Sequence, residues 1–359
     1  MKYINTKGIA TWNIAQKLIV GGTGLLSKRP TRYSGAKWPC YYEKARGIKI
    51  KSIDGIWFKD FSEFSIGCNL LGYAPRSHSK IVSHYRNSSP LSSLCSKYEP
   101  ELASKLNKFL DRKLSWKFCR GGGEALSVAV RFARTFSKNK KILVCGYHGF
   151  HDWYLASNLN SNNSLDGIFL EGLSIKGIPE EYKDTTSAIK DLSKEALLNS
   201  IDKFNPGIIV FESARYEKLG DDFCHILKTF QENGGILISD EVTSGFRFKN
   251  KLACYQIEID PEIIVLGKSL GTGYAISAVG IHNKFHMKAQ DCFLSSTHWT
   301  EEIGFKAGIK TIDEFTNWNK FFEKLSKNSD YLKNSIESAF LEEDINFTIN
   351  NISTMIKFS

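Results

Sequence analysis

Four short apolar runs punctuate the middle of this chain: "KILVCG" (Lys141–Gly146), "GIIVFES" (Gly207–Ser213), "GILISDE" (Gly235–Glu241) and "EIIVLGK" (Glu262–Lys268). Each is apolar without alternation and ends in a polar residue or glycine, as strands buried on both faces do. Helical spacing fills several of the gaps between them. Strands alternating with helices predict an α/β fold, with a mostly parallel central sheet and helices on both faces. In such sheets chemistry gathers beyond the carboxyl ends of the strands. Asp240 and Lys268 both fall there, one strand apart, and a parallel crossover brings neighbouring strand ends together.

The flanking regions read differently. Residues 1–60 predict an N-terminal helix, a glycine turn (Gly21, Gly22, Gly24) and a hairpin, "GIKIKSIDGIWFKD", turning at Asp54-Gly55. Residues 61–317 hold the sheet. Residues 318–359 predict a helix followed by strand-like "INFTI" and "STMIKFS", which reads as an incomplete C-terminal small α+β domain.

Composition narrows the function classes. The 359 residues carry a formal charge of +10, but the basic residues are dispersed. The densest run, "SKNKK" (Ser137–Lys141), lacks aromatic partners and reads as a solvated helix end or loop, so nucleic acid is not an expected partner. An anionic substrate is the milder inference. Eight cysteines lack C-x-x-C spacing, which suits buried free thiols in a reducing compartment. No apolar stretch approaches the ~20 residues of a membrane span, and the start lacks a signal-peptide core, so a cytoplasmic protein without membrane contact is expected.

Lys268 ends a strand inside the expected core, where burial disfavours the charged amine and frees it as a nucleophile. Asp240, beside it, is placed to keep a cationic partner charged. An acid and an amine at adjacent strand ends suit pyridoxal 5'-phosphate: the lysine takes the aldehyde and the carboxylate pairs with the ring nitrogen. "FCRGGGEALSVAVRFAR" (Phe118–Arg134) offers a phosphate cradle, with three glycines before a helix patterned by Ala125, Val128, Ala129, Phe132 and Ala133. It is neither a P-loop nor a dinucleotide fingerprint. "CGYHGFHDWYL" (Cys145–Leu155) supplies Tyr147 to stack on a planar ring. His148 and His151 lack companion ligands, so no metal is expected. Trp57 and Trp116 are read as core residues.

Taken together, "GGGEALSVAVRFAR", "GYHGFHDWYL", "SDEVTSGFR", "LGKSLGTGYAISAVG" and "SSTHWTEEIGFKAG" resemble the class III, fold-type I pyridoxal-phosphate aminotransferases, and within them the glutamate-1-semialdehyde aminomutase branch. The resemblance implies that Lys268 bonds the cofactor aldehyde, Asp240 pairs with the pyridine nitrogen, and Val242 and Tyr147 cover the two ring faces. It also implies that Gly122 and Gly123 hold the phosphate and that His148 supports the ring pocket. Ser296 and Thr297 would reach the phosphate of a neighbouring subunit, hence a homodimer with shared sites. Small-molecule amino donors and carbonyl acceptors are the implied partners.

The chain also departs from the family pattern. The phosphate turn commonly reads Asn-Ser-Gly-Thr; here it is Arg120-Gly121-Gly122-Gly123, with Arg120 as a candidate replacement for the lost hydroxyls. The branch's carboxylate arginine is replaced by "GGTGLLSKRP", leaving Lys28 or Arg29. The Gly-Thr-Trp segment becomes "SEFSIGCNLLGY", and "FESARYEKLG" brings Arg215 near a strand end. These changes lie on the substrate side, so the expected activity is an aminotransferase. An aminomutase and an inactive relic acting as a binding subunit are the alternatives.

Overall fold

The computed structural model describes residues 5–33, 38–61, 65–160, 164–168, 173–214 and 219–358. The chain divides into two compact units, Met1–Lys80 and Ile81–Ser359.

In the first unit, α1 (Thr6–Leu18) precedes a glycine turn in which Gly21 and Gly22 take φ of 74° and 75°. A three-stranded antiparallel sheet follows, β1 (Tyr42–Arg46), β2 (Lys49–Ser52) and β3 (Trp57–Lys59). The Asp54-Gly55 turn joins β2 to β3, and Gly55 takes φ 87°, which a β-carbon would strain. Trp57 is 48% exposed, so the core reading fails there. Alternation along a hairpin separates two faces but does not say which one is covered.

The second unit is built on a seven-stranded sheet in the order β4-β10-β9-β8-β7-β5-β6. Its strands are β4 (Leu114–Cys119), β5 (Ile142–Cys145), β6 (Thr186–Ala188), β7 (Ile208–Phe211), β8 (Ile236–Asp240), β9 (Ile263–Leu266) and β10 (Ser277–His282). The four apolar runs became β5, β7, β8 and β9, parallel to one another and buried along their length. At roughly 1.5–3 kcal/mol per fully buried aliphatic side chain, these strands are a dominant source of stability. β10 runs antiparallel to both β9 and β4, so the sheet is mixed at that edge.

Helix α2 (Tyr98–Leu110) leads into β4, and α3 (Gly122–Phe136) follows it. All five residues of the predicted stripe on α3 are buried. The chain passes from β5 out to β6 and returns on the other side of β5 to β7. The order therefore reverses between β5 and β7, the place at which sheets of this kind bind ligands beyond their carboxyl ends.

"SKNKK" forms the loop between α3 and β5, with its lysines exposed. All eight cysteines are free, and Cys119, Cys145, Cys224 and Cys254 are buried. Burial pushes the Cys119 and Cys145 thiols up to about 12, which suits inert packing groups. Among the described residues, no helix is long and apolar enough to cross a membrane.

Trp318 opens a helix that runs to Glu342, and a hairpin, β11 (Ile349–Ile352) and β12 (Met355–Phe358), follows. The first strand begins at Ile349, so most of "INFTI" precedes it. Ile352 and Met355 pack against Ala214, Phe248 and Ala253. The hydroxyls of Ser353 and Thr354 donate to the Arg247 carbonyl at 2.6 and 3.2 Å.

Candidate active site

Adjacent strands β5, β7, β8 and β9 each deliver a polar group just past their carboxyl ends. After β5 comes Gly146-Tyr147-His148, and after β7 comes Glu212. β8 ends in Asp240, and Lys268 stands two residues beyond β9.

Asp240 is 3% exposed. Its Oδ2 lies 2.9 Å from His148 Nδ1, and its Oδ1 accepts the Val242 amide at 3.0 Å. A buried carboxylate is tolerable because these partners offset its desolvation. His148 is itself buried against Tyr154, edge to face at 5.6 Å, and its Nε2 has no hydrogen-bond partner among the described residues. Tyr147 is half-buried. Its amide donates to Glu212 Oε2 at 2.9 Å, and its ring meets Tyr154 at a right angle, 6.1 Å away. A β-carbon on Gly146 would lie 2.8 Å from Glu212 Oε2, so this close approach requires glycine.

Lys268 corrects one expectation: it is half-buried, not buried. Its Nζ donates to Thr243 Oγ1 at 3.0 Å. Its φ is +40°, in the left-handed region that a β-carbon disfavours, at a cost of order 1–3 kcal/mol. Such strain persists where surrounding structure over-determines it. Here Arg247 supplies part of that structure, donating to the carbonyl of Thr243 itself at 2.9 Å and to Oγ of Ser269, the residue after Lys268, at 3.2 Å.

The glycine turn lies at the same place. Val242 Cγ1 would sit 2.8 Å from a β-carbon on Gly122 and 3.3 Å from one on Gly267, so Val242 bridges the start of α3 and the lysine segment. The amides of Gly122 and Gly123 open the first turn of α3, where no intrahelical acceptor exists. The Arg120 and Gly121 amides are already taken by Glu124 Oε2, at 2.8 and 3.3 Å. Trp299 Nε1 donates to Glu124 Oε1 at 2.9 Å. Burial raises the Glu124 carboxyl, but these donors outweigh it and hold the group below its ordinary range.

His151 parts company with His148. It packs on the turn, where a β-carbon on Gly123 would meet its Cε1 at 3.0 Å, and burial pushes it below the ordinary histidine range. Arg120 also departs from expectation, since its guanidinium points to neighbouring carbonyls and not into the turn. Ser296 and Thr297 are exposed at the start of the 3-10 turn Thr297–Thr300. Trp116 is half-buried, donates to Asn107 Oδ1 at 2.8 Å and covers Gly280.

Lys28 and Arg29 belong to the first unit. Lys28 is exposed at the end of a 3-10 turn, and Arg29 is half-buried with an unpartnered Nε among the described residues. Arg215 lies outside the described residues. Thr243, Glu212, Glu124 and Arg247 are the site-shaping residues that sequence reasoning missed. All lie inside or beside the motifs, but only proximity to Asp240 or Lys268 could have drawn attention to them.

The site suits a flat, phosphorylated, nitrogen-bearing ring. It offers open amides at a helix N-terminus for the phosphate, a buried carboxylate for a ring cation, an amine within reach of Thr243, and bare glycines that leave room. Residues 32–356 match the family described as aminotransferase class-III. The glutamate-1-semialdehyde 2,1-aminomutase of Saccharolobus islandicus (strain L.S.2.15 / Lassen #1) is 31% identical over 368 residues, spanning 96% of this chain and 80% of that protein. The 3-aminobutyryl-CoA aminotransferase of Cloacimonas acidaminovorans (strain Evry) is 25% identical, spanning 86% of this chain and 72% of that one. Among solved structures, the pyridoxal-phosphate internal aldimine form of the FumI protein from Sphingopyxis sp. MTA144 shares the fold with a TM-score of 0.84 at 21% identity, covering 98% of this chain and 83% of that chain. A match over nearly the whole length, on a sheet whose strand ends carry this acid and this amine, settles the family: the chain belongs to the class-III aminotransferases, with pyridoxal phosphate as its cofactor.

Proposed function

We propose that this chain moves an amino group between two small molecules, from an amino donor to the carbonyl of an anionic acceptor. The observation that carries the reading is the Lys268 amine, on Thr243, one strand from the buried Asp240–His148 pair. When bound, pyridoxal phosphate supplies an electron sink for the carbon that loses its proton.

The chain's own groups do the rest. Lys268 Nζ would hold the cofactor aldehyde and would carry the substrate proton, with Thr243 orienting the amine. Asp240, fixed by His148 and the Val242 amide, keeps the ring nitrogen charged. Tyr147 and Val242 would cover the two faces of the ring. The Gly122 and Gly123 amides take the phosphate. Ser296 and Thr297, exposed, are suited to reach a second subunit's phosphate, which makes a homodimer part of the proposal. Lys28, Arg29 and Arg215 are the proposed anchors for substrate anions, and the net charge of +10 favours the approach of such molecules. In this scheme residues 61–317 are the cofactor-binding domain, 1–60 an N-terminal helix-and-hairpin segment, and 318–359 an incomplete small domain.

A second reading, internal amine transfer on glutamate-1-semialdehyde, is favoured by the aminomutase name of the 31%-identical relative. An aminomutase must retain its intermediate until the second amine returns, and this depends on substrate-side contacts that differ here from the family pattern. The test is a single turnover with an amino donor and no acceptor. Intermolecular transfer releases one equivalent of oxo product per site. Absence of oxo product, with conversion of glutamate-1-semialdehyde to 5-aminolevulinate at about 1 per second, would establish the second reading. A fully active monomer in sedimentation would remove the shared site.

A further inference from the structure

The corner that precedes α3 contains no side-chain hydroxyl: Arg120 is followed by three glycines. Bare glycine backbone has many conformations to lose, so something outside must fix its shape. The guanidinium of the adjacent Arg120 is anchored through all three of its nitrogens. Nε donates to His298 O at 2.5 Å, Nη1 to Ala275 O at 3.1 Å and Nη2 to Glu301 O at 2.7 Å. Nη2 also lies 3.4 Å from Glu301 Oε2. One side chain thereby ties the corner to the loop after Lys268 and to the turn Thr297–Thr300.

The space around the guanidinium is shaped for it. A β-carbon on Gly304 would lie 2.1 Å from Arg120 Nη1. From the other side, Ser277 Oγ donates to Gly121 O at 3.0 Å, and Glu124 holds the Arg120 and Gly121 amides. With these groups engaged, the amides of Gly122 and Gly123 remain for an anion.

We propose that Arg120 is a positioning residue that keeps the Gly121–Gly123 corner in its phosphate-accepting shape, in place of the hydroxyl side chains the corner lacks. It acts through the backbone and does not touch the phosphate. The proposal rests on the reading that this corner takes the cofactor phosphate. A lysine cannot replace the arginine, because one ammonium cannot span three carbonyls on two segments.

The test compares pyridoxal phosphate with pyridoxal, which lacks the phosphate, titrated into the full-length chain and its R120Q and R120K variants by quenching of tryptophan fluorescence. Loss of charge-assisted hydrogen bonds should weaken pyridoxal phosphate about tenfold in both variants and leave pyridoxal within about twofold. A wild-type preference for the phosphorylated form that survives in R120Q would overturn the role of Arg120. Equal weakening of both compounds would reduce Arg120 to a general stabiliser and equally overturn it. If the wild type shows no such preference, the phosphate reading of the corner fails first. G304A, which crowds the guanidinium without removing it, should show the same selective loss if R120Q does not fold, and an unchanged preference in G304A would then count against the proposal.

Discussion

Asp240 and Gly122 serve the ring and the phosphate in the proposed site, and they are held by different means. Asp240 is a side chain at the end of a fully buried parallel strand, bonded to a buried histidine and to its own loop. Gly122 offers only an amide, and the corner before it is shaped by Arg120, Glu124, Ser277 and Trp299, from other elements and from the helix it opens. The first end is preorganised by the sheet. The second is held by side chains of its neighbours.

The comparison can be attacked at several points. The largest effect is expected at Lys268→Ala, which removes the amine proposed as proton carrier and nucleophile. Turnover should fall by about 10³-fold or more, and borohydride should no longer fix cofactor to the chain. A reducible adduct that persists in this variant would assign the amine to another residue. Asp240→Asn should follow, with kcat lower by about 10²–10³-fold and the fold retained, as for loss of one preorganised charge partner. Near-normal turnover would show that the ring nitrogen is served by a different group.

At the phosphate end the effects should be smaller. Gly122→Ala places a β-carbon 2.8 Å from Val242 Cγ1, so either the corner or Val242 must shift. We expect about tenfold weaker cofactor binding with little change in Tm, and unchanged binding would argue against a tightly shaped corner. Glu124→Gln should act mainly through pH. The folded-state carboxyl lies below its ordinary value of 4.5, so its stabilisation is present above that value and is lost as pH falls through the folded one. Between pH 5 and pH 3 the Tm of wild type should therefore fall more steeply than that of the variant. Parallel curves would remove Glu124 as a titrating clip.

These two ends also differ in how far they could be read from residues. Asp240 and Lys268 were legible because uninterrupted apolar runs force buried parallel strands, and adjacent parallel strands bring their ends together. The stripe on α3 was legible for the same reason of period. The hydrogen-bond partners were not. Tyr147 meets Glu212 across 65 positions, and Arg120 meets Glu301 across 181. Nothing in local pattern selects one glutamate among many. The half-buried setting and left-handed backbone of Lys268 come from the loop that Thr243 and Arg247 build, which strand period does not describe. Trp57 went wrong because an aromatic on a hairpin is apolar whether or not anything covers it.

The hydroxyls of Ser353 and Thr354 on the Arg247 carbonyl have a thermodynamic consequence. Arg247 also grips Thr243 and Ser269, so the C-terminal hairpin and the chain around the reactive amine share one set of bonds. Segments linked in this way open together more readily than separately. The last hairpin is therefore expected to open with the chain around Lys268, so that fraying of a peripheral element would loosen the centre of the proposed site.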